Sequence, residues 1–433
     1  PTAIAGLSPD AFLYAKEAAA EKLGALYGTP LGNALISALP PSETRDRRMT
    51  AASASVTDAA CRVTAETMLN LYGKSLILTQ SRIDGYVSCP FSYFCRYILK
   101  LSENAPASFD FRDMGNFIHR ALEKFFRLLS ERGLHIGTLT AAEVAALSGT
   151  VGDECVAELL PPGTPCSPRL MHRIAALKRS AALFMEELRE EFSQSAFTPL
   201  ASELEIAVGN PHALSPVRYM LPDGSAVLLT GKIDRVDVLI SEKTYYLRVI
   251  DYKTGKKKFS MEDIKKGVGL QLPLYLFSLC ADAEKKFRRM ADIPHDAALR
   301  PAGMLYMETR TADVVLPEPL SGEEVYRFAK ESIGRSGILL DDPVVLSAMD
   351  KEEAGRFIPY KRNKETGKAD THSLMNQEEL DDLSVALGKT VVRIAGELRE
   401  GIADARPMQR KGTSGHMNGT CELCPMKTVC RNV

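Results

Sequence analysis

The residue patterning predicts an α/β protein built on a mixed β-sheet flanked by helices, with helical insertions. Two observations carry this expectation. Three successive runs rich in β-branched and aromatic residues, Glu203–Val208, Val227–Ile240 and Thr244–Tyr252, are accompanied by turn signals at Pro222-Asp223-Gly224 and Ser241–Lys243. Helical periodicity precedes and follows them, and one more strand, Gly303–Glu308, comes after the second helix. The order helix, three strands, helix, strand describes a sheet covered by helices.

Taken in order, residues 1–75 read as a mainly helical N-terminal segment. Its Ala-rich stretches at Tyr14–Leu26 and Asp58–Tyr72 are separated by a break at Pro40–Arg48. Gly73-Lys74-Ser75 mimics the end of a phosphate-binding loop, but Met68 stands where the first glycine belongs, so the match is read as chance. From Leu76 the character changes, and 76–433 is expected to be the functional domain. Ser81 caps a helix running through Tyr97, and Gly115–Ser130 forms the next, with Ile118, Leu122, Phe125 and Leu129 on one apolar stripe. Residues 138–196 read as a helical insertion broken at Pro161–Pro168. A helix over Gly269–Arg289 follows the strands. Residues 311–400 read as helical around a charged loop, Lys361–Asp370, and 407–433 as a polar, Gly-rich tail.

Composition narrows the function classes. Lys plus Arg (54) nearly cancels Asp plus Glu (55), which excludes a wholly basic nucleic-acid coat and requires any DNA contact to come from local clustering. No run approaches the ~20 apolar residues of a spanning helix, and no signal peptide is expected. The chain opens on Pro1 and is expected to be a piece of a longer polypeptide. Its nine cysteines are odd in number and scattered, which argues against a disulfide framework and for a reducing, cytoplasmic compartment.

The central signal is a pair of acids on neighbouring strands. Asp234 lies in Gly231-Lys232-Ile233-Asp234-Arg235-Val236-Asp237, and Asp251 in Val249-Ile250-Asp251-Tyr252-Lys253-Thr254-Gly255. Alternation puts Asp251 and Lys253 on one side of their strand, and a turn near Ser241–Lys243 brings Asp234 close to Asp251. Two carboxylates and an ammonium on one patch suit phosphodiester hydrolysis with Mg2+ or Mn2+, which take hard oxygen ligands. Either Glu203 or Glu205 could add a further acid from the preceding strand. Lys253, Lys256, Lys257, Lys258, Lys265 and Lys266 form a basic run beside this patch, suited to sequence-independent phosphate contacts.

A second constellation closes the chain. Cys421, Cys424 and Cys430 put three thiolates in one short stretch, a metal-site pattern that lacks a fourth ligand, for which Cys89 and Cys95 compete. Iron–sulfur and zinc are both open on spacing alone.

The segments Gly115–His119, Gly231–Asp237, Ile250–Gly255 and Gln271–Tyr275 resemble, in order, the motifs of RecB-family PD-(D/E)XK nucleases, and most closely the nuclease domains of AddB-type helicase–nuclease subunits. The likeness covers roughly 76–433 and implies a restriction-endonuclease-like fold. It implies that His119, Asp234, Asp251 and the Tyr252 carbonyl ligate the metal, that Lys253 is catalytic, and that Gln271 and Tyr275 form the glutamine–tyrosine motif facing DNA or water. It further implies a 4Fe-4S cluster on Cys89, Cys421, Cys424 and Cys430. The expected function is Mg2+-dependent cleavage of single-stranded DNA fed by an AddA-type partner during double-strand break repair and recombination. The alternatives are a free-standing Cas4-like exonuclease and a non-catalytic DNA-binding scaffold.

Overall fold

The longest strand organises the sheet. Residues 226–241 are mostly buried, and they form one 16-residue strand that four others use as a template. The computed structural model describes residues 62–101, 111–160, 167–253, 255, 257–282, 285–309, 324, 327, 329–330, 332–351, 356–360, 371–408, 419–422 and 424–430. The expectations for 1–61, for most of the Pro161–Pro168 break, for the loop 361–370 and for Lys256 lie outside them.

The strands are β1 (Ser75–Thr79), β2 (Thr198–Ile206), β3 (Val217–Met220), β4 (Ala226–Ser241), β5 (Thr244–Lys253), β6 (Ala298–Glu308), β7 (Arg335–Leu340) and β8 (Leu374–Met375). Their order is β1-β4-β5-β6-β7-β8, with β2 and β3 also paired to β4. The first half of β4 pairs with β1 in parallel and with β3 antiparallel. Its second half pairs antiparallel with β2 and β5. β5 and β6 run parallel, so the chain between them must cross over, and it does so through helices. The mixed sheet expected from the sequence is present.

The helices are α1 (Gln80–Ser88), α2 (Phe111–Glu131), α3 (Ala141–Leu159), α4 (Pro168–Gln194), α5 (Met261–Lys266), α6 (Gln271–Ala281), α7 (Pro343–Met349) and α8 (Gln377–Arg399), besides the helix Ala65–Tyr72 ahead of β1 and several shorter turns. The stripe foreseen on α2 is buried at all four positions. Two expectations need correction. The helix expected from Ser81 through Tyr97 stops at Ser88, because Pro90 disfavours helical backbone at Cys89, which is extended with φ −168°. The region 311–400 contains β7 and β8 as well as helix; runs as short as Ile338-Leu339-Leu340 carry no period that separates strand from helix. Gly73 leads into β1 rather than a helix, which removes the phosphate-loop reading.

Contacts divide the chain into two compact units: one comprises 69–87 and 104–397 and holds the whole sheet, the other 1–68, 88–103 and 398–433. No described helix is long and apolar enough to cross a membrane.

Within the first unit, one face of β4 and β5 carries a buried ionic network. Arg235, Asp237 and Arg248 are fully buried, and Arg248 donates to Asp237 Oδ2 (2.8 Å) and to Glu191 Oε1 on α4 (2.9 Å). Arg335 on β7 closes the set, donating to Glu191 (2.9 Å) and Glu187 (3.2 Å). Burial alone would raise the Glu191 carboxyl; Arg335, Arg248 and Arg235 outweigh it and lower it to about 2. Removing one member of such a set strands the others without counter-charge. Glu191→Ala should therefore destabilise the fold by ~3–5 kcal/mol, read as a lower urea midpoint. A shift within about 0.5 kcal/mol would contradict the network's structural weight.

Candidate active site

The opposite sides of β4 and β5 supply the acids. Arg235 pairs with Ile250 across the antiparallel ladder, so one step further Asp234 faces Asp251. Both carboxylates are buried, at 8% and 3% exposure. Asp234 Oδ2 accepts the Tyr252 backbone N–H (2.7 Å). Asp251 is in ion-pair contact with Lys253, as their shared strand face requires, and its Oδ2 has no other polar partner. Burial, then the charge of Asp234, pushes the Asp251 carboxyl up to about 6, with Lys253 and His119 opposing. Two neighbouring buried carboxylates favour a cation beside them, and Lys253 supplies one.

α2 brings His119 onto this patch. Its Nε2 lies 3.0 Å from the Tyr252 carbonyl oxygen and its Nδ1 3.5 Å from Asp234 Oδ2. Burial alone would lower the imidazole; the hydrogen bond and charge of Asp234 outweigh it and raise it. By donor type, the imidazole, carboxylate and carbonyl groups gathered here suit a hard divalent cation.

β2 adds the acid that the sequence left open. Glu203 stands opposite Asp234 in the ladder, and ligand atoms of His119, Glu203 and Asp234 all lie within 4.8 Å of one another. Glu205 instead accepts a hydrogen bond from Asn210 (2.8 Å). Glu203 has a left-handed backbone, φ +53°, inside a strand. A non-glycine residue held there is strained, and its carboxylate lies in the cluster.

Comparison with known proteins gives the family. The model of the PD-(D/E)XK nuclease superfamily matches residues 77–431. The chain belongs to that superfamily. It is similar to proteins named as ATP-dependent helicase/deoxyribonuclease subunits, of the B type. The one from Desulforudis audaxviator is 30% identical over 85% of this chain and 31% of its own length. That of Moorella thermoacetica is 31% identical over 83% and 30%, and that of Acetivibrio thermocellus 28% identical over 85% and 31%. The chain therefore spans about a third of the length of the relatives it matches.

In this nuclease-superfamily chain, the glutamine–tyrosine pair occupies the start of α6. Gln271 is half-buried. Tyr275 is buried, its hydroxyl bonded to the backbone of Lys232 and to Gln271; burial pushes the phenol up to about 12. Tyr275 thus bears on β4 beside the acids rather than on solvent. Gly231 is what admits it: a Cβ there would overlap Tyr275 Oη. Of the basic run, Lys253 and Lys257 lie over the Tyr306 ring at 5.8 and 5.7 Å, Lys258 and Lys265 are exposed, and Lys266 pairs with Glu262 (2.8 Å).

The second compact unit holds the cysteines. Cys89, Cys421, Cys424 and Cys430 line one cavity of about 220 Å³, together with Ser92, Arg96 and Lys427. Nested turns present the last three: the Cys424 amide donates to the Cys421 carbonyl and the Cys430 amide to that of Met426. Burial raises the thiols of Cys89 and Cys421, and the neighbouring cysteines raise them further. Cys95, the competing fourth ligand, is buried and does not line the cavity. Cys155 and Cys280 are pushed up by burial to about 11 and 12, as ordinary interior thiols are. Cys61 and Cys166 lie outside the described residues.

The close approach at Gly231 yields a test. Gly231→Ala should lower stability by ~1–3 kcal/mol through overpacking, and adding Tyr275→Phe should recover part of the loss. Thermal melts of the two single variants and the double variant check it. Strictly additive losses would refute the contact.

Proposed function

We propose that this chain is a Mg2+-dependent deoxyribonuclease that cleaves single-stranded DNA as the nuclease part of an AddB-type subunit. In this reading an AddA-type helicase partner delivers the strand in the cytoplasm during double-strand break repair and recombination. The supporting observation is the convergence of His119, Asp234, Asp251 and the Tyr252 carbonyl beside Lys253. The names of the relatives point to the same activity.

Each residue has its share of the work. His119, Asp234, Asp251 and the Tyr252 carbonyl hold the cation, with Glu203 at its edge. The bound cation supplies positive charge to the scissile phosphate and acidifies the attacking water. The Lys253 ammonium, tethered to Asp251 yet a third exposed, can donate to a phosphoryl oxygen or orient water. Tyr275 and Gln271 brace β4 at Lys232, keeping Asp234 in place. The exposed Lys258 and Lys265 attract the DNA backbone.

The cysteine cavity fits a 4Fe-4S cluster better than zinc. A tetrahedral zinc ion bonds four sulfurs at ~2.3 Å and fills the space between them, whereas a multi-atom cluster needs a cavity. The four-thiolate donor set suits such a cluster, which would staple Cys89 to the last turns of the chain and close a loop of about 330 residues.

Two outcomes are expected. Asp251→Asn should reduce Mg2+-dependent digestion of labelled single-stranded DNA by ~100-fold or more while leaving the melting temperature near that of the parent. Digestion at the parental rate would sink the catalytic assignment. Protein purified without oxygen should be brown and contain iron, and Cys421→Ser should lose both colour and thermal stability. Zinc without iron would overturn the cluster.

A further inference from the structure

Lys232 is not needed by any of the roles above, yet it reaches into the acid cluster. Its side chain is half exposed at the rim, and its ammonium is in ion-pair contact with the nearly buried Glu203. The same two side chains line a cleft of about 750 Å³, shared with Thr79, Glu123, Thr230 and Gly231. The neighbouring carboxylates are already engaged, Glu123 with Arg120 (2.7 Å) and Glu205 with Asn210 (2.8 Å).

We infer that Lys232 is an exchangeable counter-ion: it neutralises Glu203 until a divalent cation enters, then turns to a DNA phosphate in the adjoining cleft. This rests on the nuclease reading and assigns it one more substrate-binding residue. The argument is one of charge. The three carboxylates Glu203, Asp234 and Asp251 face two ammonium groups, Lys253 and Lys232, leaving a single net negative charge among these five side chains. A divalent cation converts that to a single positive charge, which one phosphodiester group cancels. Without Lys232 the loaded site would be neutral and the phosphate-bound site negative. Lys232 and the cation also compete for the same Glu203 carboxylate, and two cations beside it repel each other. The long, flexible stem lets the ammonium leave without moving β4.

The consequence is a pair of effects of opposite sign, which loss of structure cannot produce. In Lys232→Gln, Mn2+ followed by electron paramagnetic resonance should bind ~3-fold more tightly, because its competitor is gone. The same variant should bind a fluorescent single strand more weakly in Ca2+, with cleavage excluded on a gel. The slope of log affinity against log salt should fall by ~0.7, the loss of one phosphate contact. Lys232→Arg should restore the salt slope. Weaker binding of both ligands, or no change in either, would overturn the inference. If the parent protein itself bound neither Mn2+ nor single strands, the nuclease reading would fail first.

Discussion

The peptide of Tyr252 is the point on which the site depends, because it is held from three directions at once. Its N–H is fixed by Asp234 (2.7 Å), its carbonyl lies against His119 (3.0 Å), and its phenol accepts from Arg235 (3.0 Å). The first two contacts belong to the acid cluster and the third to the ionic network. Strand alternation makes this possible: Asp234 and Arg235 are neighbours in β4 yet project to opposite sides, so one segment builds the acid cluster and its support. Arg235 also lies over the rings of Phe126 and Phe192, at 5.7 and 5.1 Å, and Phe126 is two turns from His119 on α2. A single guanidinium therefore ties together the strand that carries Asp234 and the helix that carries His119.

Burying so many charges is not an efficient route to stability, since well-packed apolar residues often do as well. What the network contributes is geometry. Metal ligation tolerates only a few tenths of an ångström of error, and a backbone carbonyl has no rotamer to adjust. Anchoring the side chain of the same residue behind the sheet fixes that carbonyl more firmly than the ladder alone could.

The sequence and the structure differ in an instructive way. Asp234, Asp251 and Lys253 were legible because strand alternation and a short turn are enough to place them together. Glu203 was not, because Glu203 and Glu205 share the same parity and alternation cannot separate them. A left-handed backbone at Glu203 decides, and that conformation has no signal in a residue that is not glycine. Glu187 and Glu191 were hidden for another reason. Acids on a long charged helix look solvated, and only the arrival of Arg248 and Arg335 from distant strands makes them interior. Gly231 could be read as part of a motif, but its physical reason, the seat of the Tyr275 hydroxyl, needs the fold.

The two candidate metal sites are kept apart by chemistry as much as by sequence. The sheet site offers carboxylates, a carbonyl and one imidazole, a set that hard Mg2+ accepts and that gives iron–sulfur chemistry no thiolate. The other compact unit offers four sulfurs and no carboxylate among the described residues lining its cavity. Each site thus rejects the other's occupant by donor type. Under the proposed function, one chain would then combine an exchangeable cation at the sheet with a sulfur-ligated centre in the other unit, because ligand hardness does the sorting that affinity alone would not.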